Sequence, residues 1–123
     1  MPDVPAQPLI PSSSENQTSH LDDLIHYKNF VFGEYERAKN EHSPKVGSLA
    51  FQTASLEESI AEEQIKVGRP EDAVIHLVSQ GSLLMEIGHF VDARSAWERA
   101  KALTSKEKVK NWIDEELRKA DPE

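Results

Sequence analysis

From Leu21 onward, apolar residues recur at intervals of three and four, and proline, glycine, serine or threonine interrupt the rhythm at a few points. That period belongs to helices with one buried stripe, and it predicts five of them. In the first, Leu21, Leu24, Ile25, Val31, Phe32, Tyr35 and Ala38 share a face. The spacing of Ser19 to Asp22 suggests a capping box at its start, and Asn40 to Ser43 its end. Ser43 followed by Pro44 suits an N-cap with proline in the first turn, opening a second helix through Leu49, Phe51, Ala54, Leu56, Ile60, Ala61, Ile65 and Val67 that Gly68 closes.

Pro70 opens the third helix, with Glu71 and Asp72 placed where the helix dipole favours negative charge. Ala73, Val74, Leu77, Val78, Gly81, Leu84 and Met85 make a broad stripe that Ile75, Leu83 and Ile87 widen, so this helix is expected to be covered on more than one side. Gly88 ends it. A fourth helix runs from about His89 through Phe90, Ala93, Trp97, Ala100 and Leu103. Thr104 and Glu107 have capping-box spacing for a fifth, whose Val109, Trp112, Ile113 and Leu117 form one apolar face and whose remainder is charged. It reads as a solvating C-terminal cap.

Two helix junctions repeat one pattern. Gly68, Ala73 and Leu77 recur 20 residues on as Gly88, Ala93 and Trp97. Glycine can close a helix with positive φ, the alanine lets the next helix approach its predecessor, and the bulky residue one turn later fills the groove. Between Leu77 and Ser105, the residues Gly81, Leu84, Gly88, Ala93, Trp97 and Ala100 stand at the signature spacing of the tetratricopeptide repeat (TPR), and the segment resembles that family. Gln80 takes a usually apolar position, Leu84 replaces an aromatic and Ser105 a proline. A preceding candidate repeat, Glu57 to Gln80, keeps Ile60, Ala61, Gly68, Ala73 and Leu77, at an offset shorter than the family's period of about 34 residues.

The resemblance implies an all-α, TPR-like array of about five antiparallel helices with a capping helix at its end; the alternative is a closed antiparallel bundle. It also implies a protein or peptide ligand held against the first helices of each hairpin. The positions where one subclass grips a terminal carboxylate with Lys and Asn are here Glu58 and Glu62, and Val78 and Ser82, so no such clamp is expected.

Before the helices, Pro2, Pro5, Pro8 and Pro11 recur every third residue and Ser12 to Ser14 follow. That composition predicts an extended leader over 1–20, a single helical domain over 21–120 and a short tail over 121–123. Composition then narrows function. With 22 acidic against 14 basic residues the net charge is −8, which repels phosphate backbones and anionic lipid and disfavours nucleic acid and membrane as partners. Cysteine is absent, so disulfides, thiolate metal sites and cysteine nucleophiles are excluded, and with no signal-like start a cytoplasmic location is expected.

No catalytic constellation, metal site or cofactor is predicted. The histidines 20, 26, 42, 76 and 89 are scattered outside any paired-ligand spacing, and no glycine-rich phosphate loop occurs. Glu57, Glu58, Glu62 and Glu63 form an acidic strip, which reads either as ordinary solvated surface or as a docking face for a basic partner. The expectation is a non-catalytic protein-interaction module, an adaptor or assembly factor, with a homodimer compatible with the apolar excess of the first and last helices. The alternative is a small helical-bundle regulator or enzyme whose ligand pocket is lined by Tyr27, Phe32, Tyr35 and Phe51.

Overall fold

A computed structural model describes residues 13–120 as five helices: α1 (Ser13–Asn40), α2 (Val46–Lys66), α3 (Pro70–Glu86), α4 (Phe90–Leu103) and α5 (Glu107–Ala120). No strand occurs among the described residues, and the chain is all-α. Two boundaries differ from expectation. Helix α1 begins at Ser13, on the far side of Ser19 and Asp22, so that pair marks no helix end; the leader as far as residue 12 and the tail 121–123 lie outside the described residues. Helix α2 begins at Val46 rather than at Pro44, because Ser43 and Pro44 form a separate turn in which the Ser43 hydroxyl accepts the Lys45 N–H at 3.1 Å.

Three helix ends share one closing motif. At Gly68 (φ 79°), Gly68 N–H bonds Ile65 C=O and Arg69 N–H bonds Gln64 C=O; at Gly88 (φ 84°) the partners are Met85 and Leu84. These paired bonds capture the carbonyls that a helix end leaves unsatisfied. The α1 terminus makes the same pair, His42 N–H to Lys39 and Ser43 N–H to Ala38, with His42 at φ 54° where glycine would be easiest.

The fifth helix starts differently from the predicted capping box. The Thr104 hydroxyl accepts Lys106 N–H at 3.1 Å and donates to Glu71 Oε2, while Glu71 Oε1 accepts Ser105 N–H at 3.2 Å. Glu71, from the first turn of α3, thus does the work expected of Glu107. The Thr104 hydroxyl first, and then the Ser105 N–H, hold its carboxyl below the ordinary glutamate range.

Each helix closely approaches only its neighbours in sequence, α1 with α2, α2 with α3, α3 with α4 and α4 with α5. A closed bundle would set α1 against α4 or α5, which does not occur among the described residues. Alanines make the close approach possible: Ala50, Ala54, Ala61, Ala73, Ala93 and Ala100 are fully or almost fully buried. Gly81 is the tightest point, since a Cβ there would lie 2.3 Å from the Trp97 indole. Trp97 fills that notch and donates its Nε1–H to the Val78 carbonyl at 3.2 Å. Burying roughly 200 Å² of indole at ~25 cal/mol/Å² contributes about 5 kcal/mol, which offsets the ~1 kcal/mol cost of a mid-helix glycine. Trp97, Leu77 and Ile113 centre one core cluster; Tyr35, Leu83 and Leu84 centre a second. Of the residues of the predicted junction pattern and repeat signature, Ala73, Leu77, Gly81, Leu84, Ala93, Trp97 and Ala100 are buried, and the helix-closing Gly68 and Gly88 are exposed.

Candidate functional site

Serial packing leaves the odd-numbered helices on one face and α2 and α4 on the other, with a groove on each. The first groove, about 460 Å³, lies along α1 and α3 and reaches α5 at Trp112; Phe32, Tyr35, Val78 and Leu83 supply its apolar wall and Lys28, Glu36, Lys39 and Glu86 its polar one. It continues past Trp112 into a neighbouring apolar hollow of about 360 Å³ between Val74, Ile75, Val78 and Val109. Trp112 divides the two. Its ring stands edge-on to Trp97 at 6.2 Å and remains 43 % exposed, so the fifth helix buries Ile113 rather than Trp112, contrary to the burial expected from its periodicity.

Apart from the exposed Glu36, which has no ion pair among the described residues, the charges in this groove are paired within the fold. Glu57, only 4 % exposed, holds Lys28 at 3.6 Å through one carboxylate oxygen and His76 Nδ1 at 2.6 Å through the other. Each helix supplies one member, Lys28 from α1, Glu57 from α2 and His76 from α3. Nearby, the Tyr35 hydroxyl donates to Glu86, and Lys39 lies 3.5 Å from the same carboxylate and 5.3 Å from the Tyr35 ring centroid. Burial first, and then the Glu86 hydrogen bond, push the Tyr35 hydroxyl above the usual tyrosine range, so it stays protonated and donating at neutral pH.

No family model, curated protein or solved structure matches this chain.

The second groove, about 380 Å³, runs between α2 and α4 over a floor from α3. Phe51, Ala54, Ser55 and Glu58 face it from α2, and Asp92, Ser95, Ala96 and Arg99 from α4. Both sets follow the spacing i, i+3, i+4, i+7 of a single helix face, and the groove stays open because the middle of each stripe is alanine and serine. Phe51 meets the His89 ring at 5.6 Å at one end, and Arg99 pairs with Glu62 at 2.9 Å at the other. Gln80 and Leu84 form the floor.

The expected acidic strip does not exist as one surface. Glu57 is buried in the first groove because it faces Lys28 and His76; Glu58 lines the second; Glu62 is held by Arg99; and Glu63 pairs with Lys66 at 3.3 Å. The aromatic pocket of Tyr27, Phe32, Tyr35 and Phe51 is not assembled either. Phe32 and Tyr35 line the first groove, Phe51 the second, and Tyr27 is exposed on α1. Val78 and Ser82 do line the first groove, whereas Glu58 and Glu62 belong to the opposite face, because α2 sits in the other layer from α3.

Sequence reasoning missed Lys28, His76, Asp92 and Arg99. The α4 stripe Asp92, Ser95, Ala96, Arg99 carried a readable signal, a polar and small-residue face at helical spacing. Lys28 and His76 carried none, since their partner is remote in sequence. Among the described residues no group of three His, Asp or Glu side chains is placed to hold a metal, and no helix is long and apolar enough to cross a membrane.

Proposed function

We propose that the protein is a non-catalytic interaction module of TPR-like design that docks a peptide segment of a partner protein along α1, α3 and α5. The observation that carries this reading is the open groove on those helices, in which a half-exposed Trp112 stands between a groove with one apolar and one charged wall and a second, apolar hollow. An exposed aromatic beside apolar groove walls is the composition of an anchor site, and large aromatics dominate the energetics of such contacts. The Gly81 and Trp97 notch and the glycine-closed junctions support the TPR-like reading, because both are demanded by that family's hairpin spacing. Pairing of the groove residues Lys28 and Glu57, with His76 bonded to the same carboxylate, lowers the electrostatic cost of covering the groove with an apolar side chain. The acidic, cysteine-free composition fits a cytoplasmic adaptor or assembly factor.

Selection of a random peptide library on the purified protein tests the proposal. Enriched peptides with a shared apolar motif are expected, and Val78→Lys in the groove wall should abolish their binding while Glu58→Gln leaves it intact. Peptides without a common motif, or binding that ignores Val78, would remove the support, as would stabilisation by a metabolite in a thermal-shift screen.

A further inference from the structure

The groove between α2 and α4 is a second site, and we infer that it receives a basic side chain, an arginine or lysine, from a partner protein. Three observations converge on that occupant. First, its walls hold carboxylates without a strong cation: among the described residues Glu58 has no ion pair, and Asp92 has only the His89 imidazole, at 4.0 Å. The one arginine present, Arg99, is already committed to Glu62 at 2.9 Å. Second, Gln80 on the floor has a buried side-chain carbonyl oxygen with no hydrogen-bond partner, one more acceptor beneath the groove without a donor. Third, the dimensions suit a long side chain with an apolar stem. Phe51, Ala54, Leu84 and Ala96 line the same cavity as the carboxylates, so methylenes can lie on carbon while the head reaches Glu58 and Asp92.

Helices α2 and α4 run parallel, both antiparallel to α3, and the Glu62 to Arg99 pair fixes their register. One turn back from that pair on α2 is Glu58, and Asp92 lies two turns back from it on α4, so the acids stand on opposite walls about one turn apart. A planar guanidinium, with five donors and no acceptor, matches an acceptor-rich slot of this kind better than a compact ammonium. This site is independent of what fills the α1, α3 and α5 groove, and it would let one module hold two segments on opposite faces.

Titration of the isotope-labelled full chain with acetyl-Leu-Arg-amide, followed by amide NMR shifts, tests the inference against the isosteric, uncharged acetyl-Leu-citrulline-amide. Saturable shifts confined to residues 51–58, 80–84 and 92–99 are expected with the arginine probe, and weaker binding by about tenfold or more with citrulline. Glu58→Gln with Asp92→Asn should cause a similar loss, whereas Glu36→Gln on the opposite face should not. Both positions of the double variant are exposed, and an unchanged thermal midpoint will show that it remains folded. Equal binding of the two probes, shifts spread over the acidic surface or centred on Trp112, or indifference to the double variant would each overturn the assignment.

Discussion

The two grooves share α3 as a wall or floor, yet they arrange their charges in opposite ways. Along α1, α3 and α5 the carboxylates Glu57 and Glu86 are answered from within, by Lys28 and His76 and by Tyr35 and Lys39. Between α2 and α4, Glu58 faces the cavity unanswered and Asp92 has only a distant imidazole. A groove whose charges are matched except at the exposed Glu36 discriminates mainly by apolar shape, whereas one with surplus acceptors discriminates by the donor that enters it. Neighbouring residues in one helical turn, Glu57 and Glu58, therefore have unrelated roles. One is structural and the other is available.

That contrast can be broken most severely at Trp97, which locks α4 onto α3: Trp97→Ala should cost about 4 kcal/mol in chemical denaturation, and the Gly81 notch would become a void. Glu57 and Glu58 separate the grooves directly. Removing the buried carboxylate with Glu57→Ala leaves Lys28 and His76 without their partner and should cost about 2 to 3 kcal/mol, while Glu58→Ala should fall within about 0.5 kcal/mol of the parent. At the helix junctions that set the layering, Gly88→Ala should cost about 1 kcal/mol because alanine resists positive φ, and His42→Gly should raise stability by about 0.5 kcal/mol for the converse reason. The smallest effect concerns the attachment of α5. Because the Glu71 carboxyl is held below the ordinary range, its contribution is present above the normal glutamate pKa and is lost as pH falls through the lowered one. Glu71→Gln should therefore lower the thermal midpoint at neutral pH, and the difference from the parent should shrink in acid.

How much of this was legible in the sequence depended on whether the deciding partner was near in the chain. Gly68 and Gly88 announce helix ends because their positive φ is a property of one residue and its turn. Trp97 and Gly81 were readable as a bulky residue and a missing side chain at hairpin spacing. His42 was not, since a non-glycine residue with positive φ gives no compositional sign. Neither was the division of the acidic strip: residues 57, 58, 62 and 63 look alike in one dimension, and only the positions of α1, α3 and α4 decide which is buried, which is paired and which lines a cavity. Glu71 shows the same limit, because its partners Thr104 and Ser105 belong to a later loop.

Serial packing also sets an order of opening. Only α4 approaches α5 closely along the backbone, and the fifth helix is held by Ile113 with Val109, Leu117 and Ala120 packed around the same core cluster, by Trp112 against Trp97, by Lys101 to Asp114 at 2.7 Å and by the Glu71 bonds at its start. An element joined at one side can detach in a subglobal fluctuation while α2 and α3, packed from both sides, retain their amide protection. Proton exchange should accordingly be fastest in α5 and slowest in α2 and α3, so the half of the first groove that carries Trp112 comes and goes on a timescale of its own.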